Sequence, residues 1–159
     1  MTFTVVSIGT VHITENETIL QIDKEYREGL LHLEGFSHLY VIWWAHLTDH
    51  SKERSRMVAK NIFRHAPNEV GVFASRTPER PNPVMISTVK VLKIDHDPGL
   101  IYLPFIDAED NTPIIDIKPY FPMERHKNCS TPDYYAHWPQ WAEDSEEFNW
   151  KKEISFDGI

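Results

Sequence analysis

Residues 37–47 read SHLYVIWWAHL and form the strongest strand candidate of the chain. Most positions are apolar, and valine, isoleucine, tyrosine and tryptophan are the side chains favoured on a pleated surface. A continuous apolar run of this length, without glycine or proline, predicts a central strand that is buried on both faces, or nearly so. We therefore expect the rest of the fold to assemble around this strand.

Short stretches rich in β-branched residues lie on both sides of the central strand. Turn-forming sequences such as HDPG and EDNTP separate them. Only KEYREGLLHLEGF, residues 24–36, favours a short helix. Many short strands joined by turns predict a mainly β protein, an antiparallel barrel or sandwich. The expected strands lie at residues 3–13, 18–23, 55–63, 71–75, 84–95, 100–107 and 112–120.

The C-terminal segment, residues 133–159, has a different composition from the rest. It carries seven acidic residues against Lys151 and Lys152 and is rich in aromatic side chains. We expect an extended tail held on the body, residues 1–132, by those aromatic side chains. The expected anchors are Trp138, Trp141, Trp150, Tyr134, Tyr135 and Phe148.

Bulk composition limits the class of protein. The 159 residues are 41% hydrophobic and 25% charged, which is typical of one soluble globular domain. The sequence shows no secretory signal and no apolar run long enough for a membrane span, and its single cysteine, Cys129, excludes an internal disulfide. These features predict a cytoplasmic protein that does not enter a membrane.

The charge is unevenly distributed along the chain. The net charge of −8 argues against a nucleic-acid partner, because phosphate contacts need lysine and arginine. Residues 52–80, however, carry seven lysines and arginines against three glutamates. This basic stretch permits an anionic ligand. The alternative is that it forms an ordinary solvated face.

Most familiar catalytic signatures are absent from the sequence. It contains no dinucleotide-binding glycine fingerprint, no phosphate-binding loop, no nucleophile elbow and no paired zinc motif. His126 and Cys129 lie close together, but a zinc site would need two further ligands. The sequence therefore predicts no metal site.

Residues 71–84, GVFASRTPERPNPV, form an unusually rigid and cationic loop. Its three prolines fix φ and reduce the entropy lost on ordering, which suits a loop that holds polar groups ready for a ligand. Arg76 and Arg80 offer planar donor forks for a carboxylate or a phosphate. Asn82 can both donate to and accept from a base edge. The alternative is a rigid surface turn with incidental arginines.

A second polar cluster lies in residues 106–120, IDAEDNTPIIDIKPY. Asp116 and Lys118 share strand parity, so both side chains are expected on one face. A carboxylate beside an ammonium group and the phenol of Tyr120 could hold a proton in transit. A purely structural ion pair is the alternative.

Three stretches together resemble a known family. EGFSHLYVIWWAH, GVFASRTPERPNP and NTPIIDIKPYFP are similar, in this order, to three signatures of the TsaA-like (TrmO) family. The resemblance implies a fold built around a β-barrel, unrelated to the Rossmann methyltransferases. Together with the strand pattern and the tail composition, it predicts a single antiparallel β-barrel domain with short helices and an extended C-terminal tail. It also implies a homodimer that binds S-adenosylmethionine and N6-methylates N6-threonylcarbamoyladenosine beside the tRNA anticodon.

The matched motifs also imply site residues. Asp116 and Tyr120 are the candidates for the catalytic base that takes the N6 proton. Arg80, Asn82 and Lys118 are the expected substrate contacts, and a role at a dimer interface is the alternative for Asp116, Lys118 and Tyr120. The expected cofactor contacts combine an arginine for the carboxylate, an aspartate for the sulfonium or ribose, and apolar side chains for adenine: His46, Leu47, Arg76, Ile86, Phe105, Ile106 and Asp107.

Departures from the family pattern keep two alternatives open. The P-R-Q loop that usually follows the first strand has no counterpart in VHITENETILQID, and Val84-Met85 replace the usual I-G after the arginine loop. The acidic side chains of the tail would repel the phosphates of a tRNA. The alternatives are a methyltransferase with a smaller substrate and a non-catalytic S-adenosylmethionine-binding module.

Overall fold

The structure, a computed structural model, describes residues 1–155, so the last four residues of the predicted tail lie outside it. No helix among the described residues is long and apolar enough to cross a bilayer. The strands are β1 (Gly9–Ile13), β2 (Thr18–Ile22), β3 (His38–Trp44), β4 (Val58–Lys60), β5 (Glu69–Gly71), β6 (Val84–Lys90), β7 (Lys93–Asp95), β8 (Leu100–Leu103) and β9 (Pro113–Pro119). The α-helices are α1 (Ser51–Arg54) and α2 (Trp150–Glu153), and 3-10 helices lie at Lys24–Leu30, Leu33–Gly35, His46–Thr48, Val72–Ala74, Pro122–Glu124, Asp133–Tyr135 and Glu143–Ser145.

Seven strands form one antiparallel sheet in the order β6-β3-β9-β1-β2-β8-β7, and β4 and β5 form a separate ribbon. β6 and β7 lie at opposite edges of the sheet although only Val91 and Leu92 separate them in the chain. The Val91 N–H donates to Ser37 O at 2.9 Å, whereas the Leu92 N–H donates to Tyr102 O at 2.8 Å. The sheet must therefore curl until its two edges approach each other at this link.

The mainly β, antiparallel architecture with short helices is confirmed, but the closed barrel is not. Across residues 1–155, no hydrogen-bonded ladder joins β6 to β7. The two linking residues bond to different neighbours, so the chain bends there instead of pairing the two edges with each other. The sheet is thus strongly curled and open.

The central strand β3 is buried on one face only. Leu39 and Val41 are 0% exposed and Trp43 is 7% exposed, while the alternating residues are half-buried. The sequence predicted burial on both faces, or nearly so; one face is fully buried and the other only half-buried, because the apolar core covers only the concave side of the curled sheet. The other core residues are Val11, Leu20, Ile22, Leu30, Ala45, Val89, Ile101, Leu103, Ile106 and Ile114.

Several predicted element boundaries shift in the structure. The first strand begins at Gly9 instead of residue 3, and the predicted strand at 71–75 is instead a 3-10 turn that follows the end of β5. β8 ends at Leu103 because Pro104 has no N–H to continue the ladder. The predicted short helix at 24–36 forms as two 3-10 helices.

Gly9 allows β1 and β2 to approach closely. A Cβ atom at this position would lie 2.2 Å from the Gln21 carbonyl oxygen, which no side chain can tolerate. The glycine that interrupts the first apolar stretch is therefore a packing requirement.

The C-terminal tail packs on the segment between β4 and β5. The Phe63 ring meets Tyr135 and Trp138 edge-on, at centroid distances of 5.8 Å and 4.9 Å. Trp150 packs against Trp138 at 5.0 Å. Trp141 is 64% exposed, so its predicted role as an anchor was wrong.

Candidate functional site

Three loops converge at one end of the seven-stranded sheet. β3 ends where β6 begins, because Trp44 lies opposite Val84 in the ladder. β9 begins at the same end, because Ile114 lies opposite Trp43. The loops at this end are the His46 loop (residues 45–50), the Arg76 loop (residues 75–83) and the β8–β9 loop (residues 104–112).

Hydrogen bonds connect these loops to one another. The Ala45 N–H of the His46 loop donates to Pro83 O of the Arg76 loop at 2.8 Å. The hydroxyl of Thr112, which is 1% exposed, lies 3.4 Å from His46 Nδ1 and connects the β8–β9 loop to the His46 loop. The three segments that carry most of the expected cofactor contacts are therefore neighbours in space.

The Arg76 loop is fixed by bonds to its own backbone carbonyls as well as by its prolines. The Thr48 hydroxyl donates to Pro78 O at 3.3 Å, and Arg54 Nε donates to Pro81 O at 3.0 Å. Pro83, at the end of the loop, is fully buried. These contacts make the loop a preorganised support for a ligand.

Arg80 stabilises the Arg76 loop through hydrogen bonds to backbone carbonyls at its start. Its guanidinium Nη2 donates to Ser75 O at 2.9 Å and also to Val72 O. Its Nε is buried without a hydrogen-bond partner among residues 1–155. The guanidinium thus contacts the backbone of its own loop, and its predicted contact with substrate stays a prediction.

Arg76 differs from Arg80 in its environment. Its side chain is exposed, and within the described part of the chain its guanidinium forms no ion pair or hydrogen bond. Asn82 and Asp107 are also exposed at this end of the sheet. Leu47 and Phe105 are 62% and 68% exposed, so the His46 loop and the β8–β9 loop each carry a large apolar side chain in solvent.

Two of the expected cofactor contacts do not expose their side chains on the three loops. Ile106 is 2% exposed and belongs to the hydrophobic core, so its side chain supports the β8–β9 loop from below. Ile86 is 45% exposed on the outer face of β6. His46 is half-buried against Thr112.

The outer face of the sheet carries a row of side chains across three strands. Ile86 lies opposite Ile42, and Ile42 lies opposite Asp116, so all three share one face. Lys118 follows on the same face, and its Nζ lies 2.6 Å from Asp116 Oδ2. The other carboxylate oxygen, Oδ1, accepts from the Ile117 N–H at 2.8 Å. The predicted proximity of Asp116 and Lys118 is therefore correct, and the pair is partly exposed.

Tyr120 lies toward the opposite end of the sheet from the three loops. Its N–H donates to His38 O at 3.0 Å, and its ring meets Tyr40 at a centroid distance of 5.4 Å. A strand rises about 3.3 Å per residue, so Tyr120 lies roughly 20 Å along β9 from Pro113. One chain therefore does not bring Tyr120 to the Arg76 loop. At the Tyr120 end of the sheet, burial, followed by the nearby charge of Glu124, raises the pKa of Tyr40 above its usual value.

Acidic partners neutralise much of the basic stretch. Arg54 pairs with Asp49 at 3.0 Å, and Arg56 pairs with Glu79. Lys60 pairs with Glu69 at 2.7 Å, and this hydrogen bond lowers the pKa of the Glu69 carboxyl. The exposed side chains of Lys52, Arg64 and Arg76 have no such acidic partner within residues 1–155.

Grooves on the surface lie away from the Arg76 loop. One, of about 390 Å³, is lined by residues 34–37 and 91–94. Another, of about 230 Å³, is lined by Asp116, Ile117 and residues of the first 33.

Sequence reasoning missed one cluster of side chains of the metal-ligating type. His65, His137 and Glu153 meet where the tail packs on the body, and their ligand-type atoms all lie within 4.8 Å of one another. The hydrogen bond from His137 lowers the pKa of the Glu153 carboxyl, and burial opposes this effect. No spacing motif signals the cluster, because its members come from separate segments.

Comparison with known proteins assigns the family. Residues 8–124 match the tRNA-methyltransferase O N-terminal domain, which includes all three converging loops and β9. The chain belongs to the TrmO family. The crystal structure of TrmO from Pseudomonas aeruginosa superposes on this fold with a TM-score of 0.62 at 26% identity, covering 82% of this chain and 60% of that one.

Relatives of this TrmO-family chain differ in length and in what they are named for. A probable S-adenosyl-L-methionine-binding protein of Methanocaldococcus jannaschii is 41% identical over 112 residues, which are 70% of this chain and 86% of that protein. The mouse tRNA (adenine(37)-N6)-methyltransferase is 33% identical over 91 residues, which are 57% of this chain and 20% of that enzyme. The chain thus spans most of the archaeal relative and a fifth of the mouse enzyme.

Proposed function

We propose that this protein is an S-adenosylmethionine-dependent methyltransferase that acts on N6-threonylcarbamoyladenosine beside the tRNA anticodon. Membership in the TrmO family and the S-adenosyl-L-methionine-binding and tRNA-methyltransferase relatives support the cofactor and the reaction class. The observation that carries the proposal is the unpaired Arg76 guanidinium on a braced loop, at the end of the sheet where two neighbouring loops expose apolar side chains.

The residues at this end of the sheet fit the chemical groups of the cofactor. The Arg76 fork matches a carboxylate, and its freedom from acidic partners in the described chain leaves its donors available. Leu47 and Phe105 offer apolar surface for an adenine ring. Asp107 is an exposed carboxylate on the same loop as Phe105 and suits ribose hydroxyls or a sulfonium.

When bound, the cofactor supplies an activated methyl group, so the protein mainly has to position the acceptor nitrogen in line. The acceptor N6 also loses a proton, and the Asp116 carboxylate is the candidate that takes it. Asp116 lies on the outer face, about 10 Å along β9 from Pro113 at about 3.3 Å per residue. A second copy of the chain is therefore proposed to bring acceptor, base and cofactor together.

The outer face of the sheet carries partly exposed apolar side chains that a second copy of the chain would cover. Val84 and Ile86 are 39% and 45% exposed on β6, and Ile42 and Trp44 continue the apolar surface onto β3. An apolar patch on an edge strand is commonly buried in a homodimer. We propose a homodimer that uses this face.

A methyltransferase with a smaller, non-nucleic-acid substrate is the second candidate. It is favoured by the ion pairs that neutralise Arg54, Arg56 and Lys60 and by the net charge of −8. The two candidates differ in the salt dependence of substrate binding, because only a phosphate-rich substrate releases many counterions.

Calorimetric titration with S-adenosylmethionine tests the cofactor proposal. We expect the wild type to bind and Arg76→Ala to lose at least about tenfold in affinity, since a charge-assisted bond contributes about 1.5–3 kcal/mol. Arg125→Ala is the matched control, because Arg125 is an exposed arginine outside the three loops. No binding by the wild type, or equal loss in both variants, would remove the cofactor from this loop.

Turnover tests the substrate proposal. The assay compares tRNA that carries threonylcarbamoyladenosine with tRNA that lacks this modification. Methylation of the modified tRNA alone supports the proposed acceptor. Cofactor binding without methylation of either tRNA would instead favour the smaller substrate or a non-catalytic binding module.

A further inference from the structure

Three metal-ligating side chains meet where the C-terminal tail packs on the loop between β4 and β5. His137 Nε2 lies 2.9 Å from Glu153 Oε2, and His65 Nε2 lies 3.9 Å from Glu153 Oε1. The two imidazole rings pack in a T-shaped, edge-to-face arrangement with a centroid distance of 5.0 Å. The cluster lies outside the three loops of the proposed cofactor site.

We propose that His65, His137 and Glu153 bind a zinc ion that clamps the tail to the body. Two imidazoles and one carboxylate are a ligand set that zinc accepts, with water in the fourth position. In a tetrahedral site with bonds of about 2.0–2.1 Å, neighbouring ligand atoms lie about 3.3 Å apart. The separations of 2.9 Å and 3.9 Å lie on either side of that value, and all three ligand-type atoms lie within 4.8 Å of one another, so side-chain rotations that draw the two imidazoles together would form the site.

The backbone holds Glu153 and His65 together before any metal arrives. The Arg64 N–H donates to Glu153 O at 2.8 Å, and the Ser155 N–H donates to Ile62 O at 3.0 Å. Between them, Phe63 and Ile154 form an isolated antiparallel bridge. This short pairing fixes the end of α2 against the residues that precede His65, so these two ligands are preorganised.

Aromatic packing holds the third ligand in place and orients the carboxylate. Trp138, next to His137, packs edge-on against Phe63 at 4.9 Å. Its indole Nε1–H donates to Glu153 Oε2 at 3.2 Å. A hydrogen bond of this kind to a ligating carboxylate fixes its rotamer and supports metal binding.

The charge of Glu153 gives an independent reason for a cation at this place. The carboxylate is 8% exposed, and its ionic partners among residues 1–155 are the two histidines, with no lysine or arginine. A buried carboxylate without a full positive partner is costly, and a divalent cation would supply that charge. His65 and His137 are 60% and 42% exposed, which leaves a path for the ion and room for water.

Zinc titration of the full chain, first freed of metal with a chelator, tests the proposal. We expect one zinc per chain and a rise in Tm of about 5 °C at a hundredfold excess over Kd. His65→Gln and His137→Gln should each weaken zinc binding at least about tenfold. His126→Gln is the matched control, an exposed histidine beside Cys129 and outside the cluster, and should bind zinc as the wild type does.

Two outcomes would overturn the proposal. One is binding of much less than one zinc per chain by the wild type. The other is zinc binding that His126→Gln abolishes and His65→Gln leaves intact, which would place the metal near Cys129. Because the His65 ring is mostly solvent-exposed, His65→Gln should match the metal-free wild type in Tm, and this comparison separates lost binding from lost folding.

Discussion

The Arg80 guanidinium donates to the carbonyl oxygen of Ser75 at 2.9 Å, immediately before the exposed Arg76. Arg80 thereby connects the end of the loop to its beginning, and Arg76 is presented from a fixed backbone. The two arginines of one motif therefore have different expected roles: Arg76 contacts the ligand and Arg80 positions Arg76.

Replacing each arginine should separate these two roles. Arg80→Ala removes charge-assisted bonds inside the loop and should cost about 2 kcal/mol of stability, a fall in Tm of roughly 4–8 °C, together with weaker cofactor binding. Arg76→Ala should weaken binding at unchanged Tm. Thermal unfolding and calorimetry on the same samples measure both. Equal Tm values for the two variants would mean that Arg80 does not brace the loop.

Asp116 is expected to accept the acceptor's proton. Asp116→Asn should lower kcat by about 10²-fold and leave cofactor affinity unchanged, because general-base effects are commonly of that size. Asp95→Asn is a matched control, since Asp95 forms a similar ion pair two residues from Lys93 on its own strand, at 2.7 Å. Full turnover by both Asp116→Asn and Tyr120→Phe would leave no role for either residue as the base.

Binding of tRNA is expected to depend on Lys52 and Arg64, basic side chains of residues 52–64 without an acidic partner in the described chain. The Lys52→Ala, Arg64→Ala double variant should lower affinity and reduce the slope of log K against log salt by about one per lost phosphate contact. The control is Lys24→Ala with Lys90→Ala, which removes equal charge at the opposite end of the sheet. An unchanged slope in both double variants would favour the smaller substrate.

The proposed dimer should depend on the outer face of β6. Ile86→Lys places a charge on the exposed apolar patch and should convert a dimer to a monomer in light scattering coupled to size exclusion. Gln21→Lys, at an exposed polar position on β2 four strands away from β6, is the control because it adds the same charge outside the proposed interface. A wild type that is monomeric at working concentration would contradict the proposal directly.

The tail should contribute to stability through Trp138 and not through Trp141. Trp138 packs against Phe63 and Trp150, so Trp138→Ala should cost about 3 kcal/mol, a Tm fall of roughly 6–12 °C. Trp141 is 64% exposed, and Trp141→Ala should stay within about 0.5 kcal/mol of the wild type. Similar losses in both variants would show that Trp138 does not anchor the tail through Phe63 and Trp150.

Local sequence was sufficient for features that depend on neighbouring residues. The strand character of β3, β6 and β9 follows from their apolar and β-branched residues, and the rigidity of the Arg76 loop follows from its prolines. The family could be recognised for the same reason, because its signatures are contiguous strings. Misplaced elements are those where tertiary contacts override propensity, as at Val72–Ala74, where the chain turns instead of continuing as a strand.

By itself the sequence determined the β-rich class, the strand character of its longest apolar stretches and the family to which the chain belongs. Tertiary structure alone decided which of two similar arginines points outward, which face of β3 is buried and which tryptophan anchors the tail. It alone brought together His65, His137 and Glu153, which no local pattern connects. The physical reason is that burial and side-chain direction depend on what packs against a residue, and for these residues the partners come from distant segments.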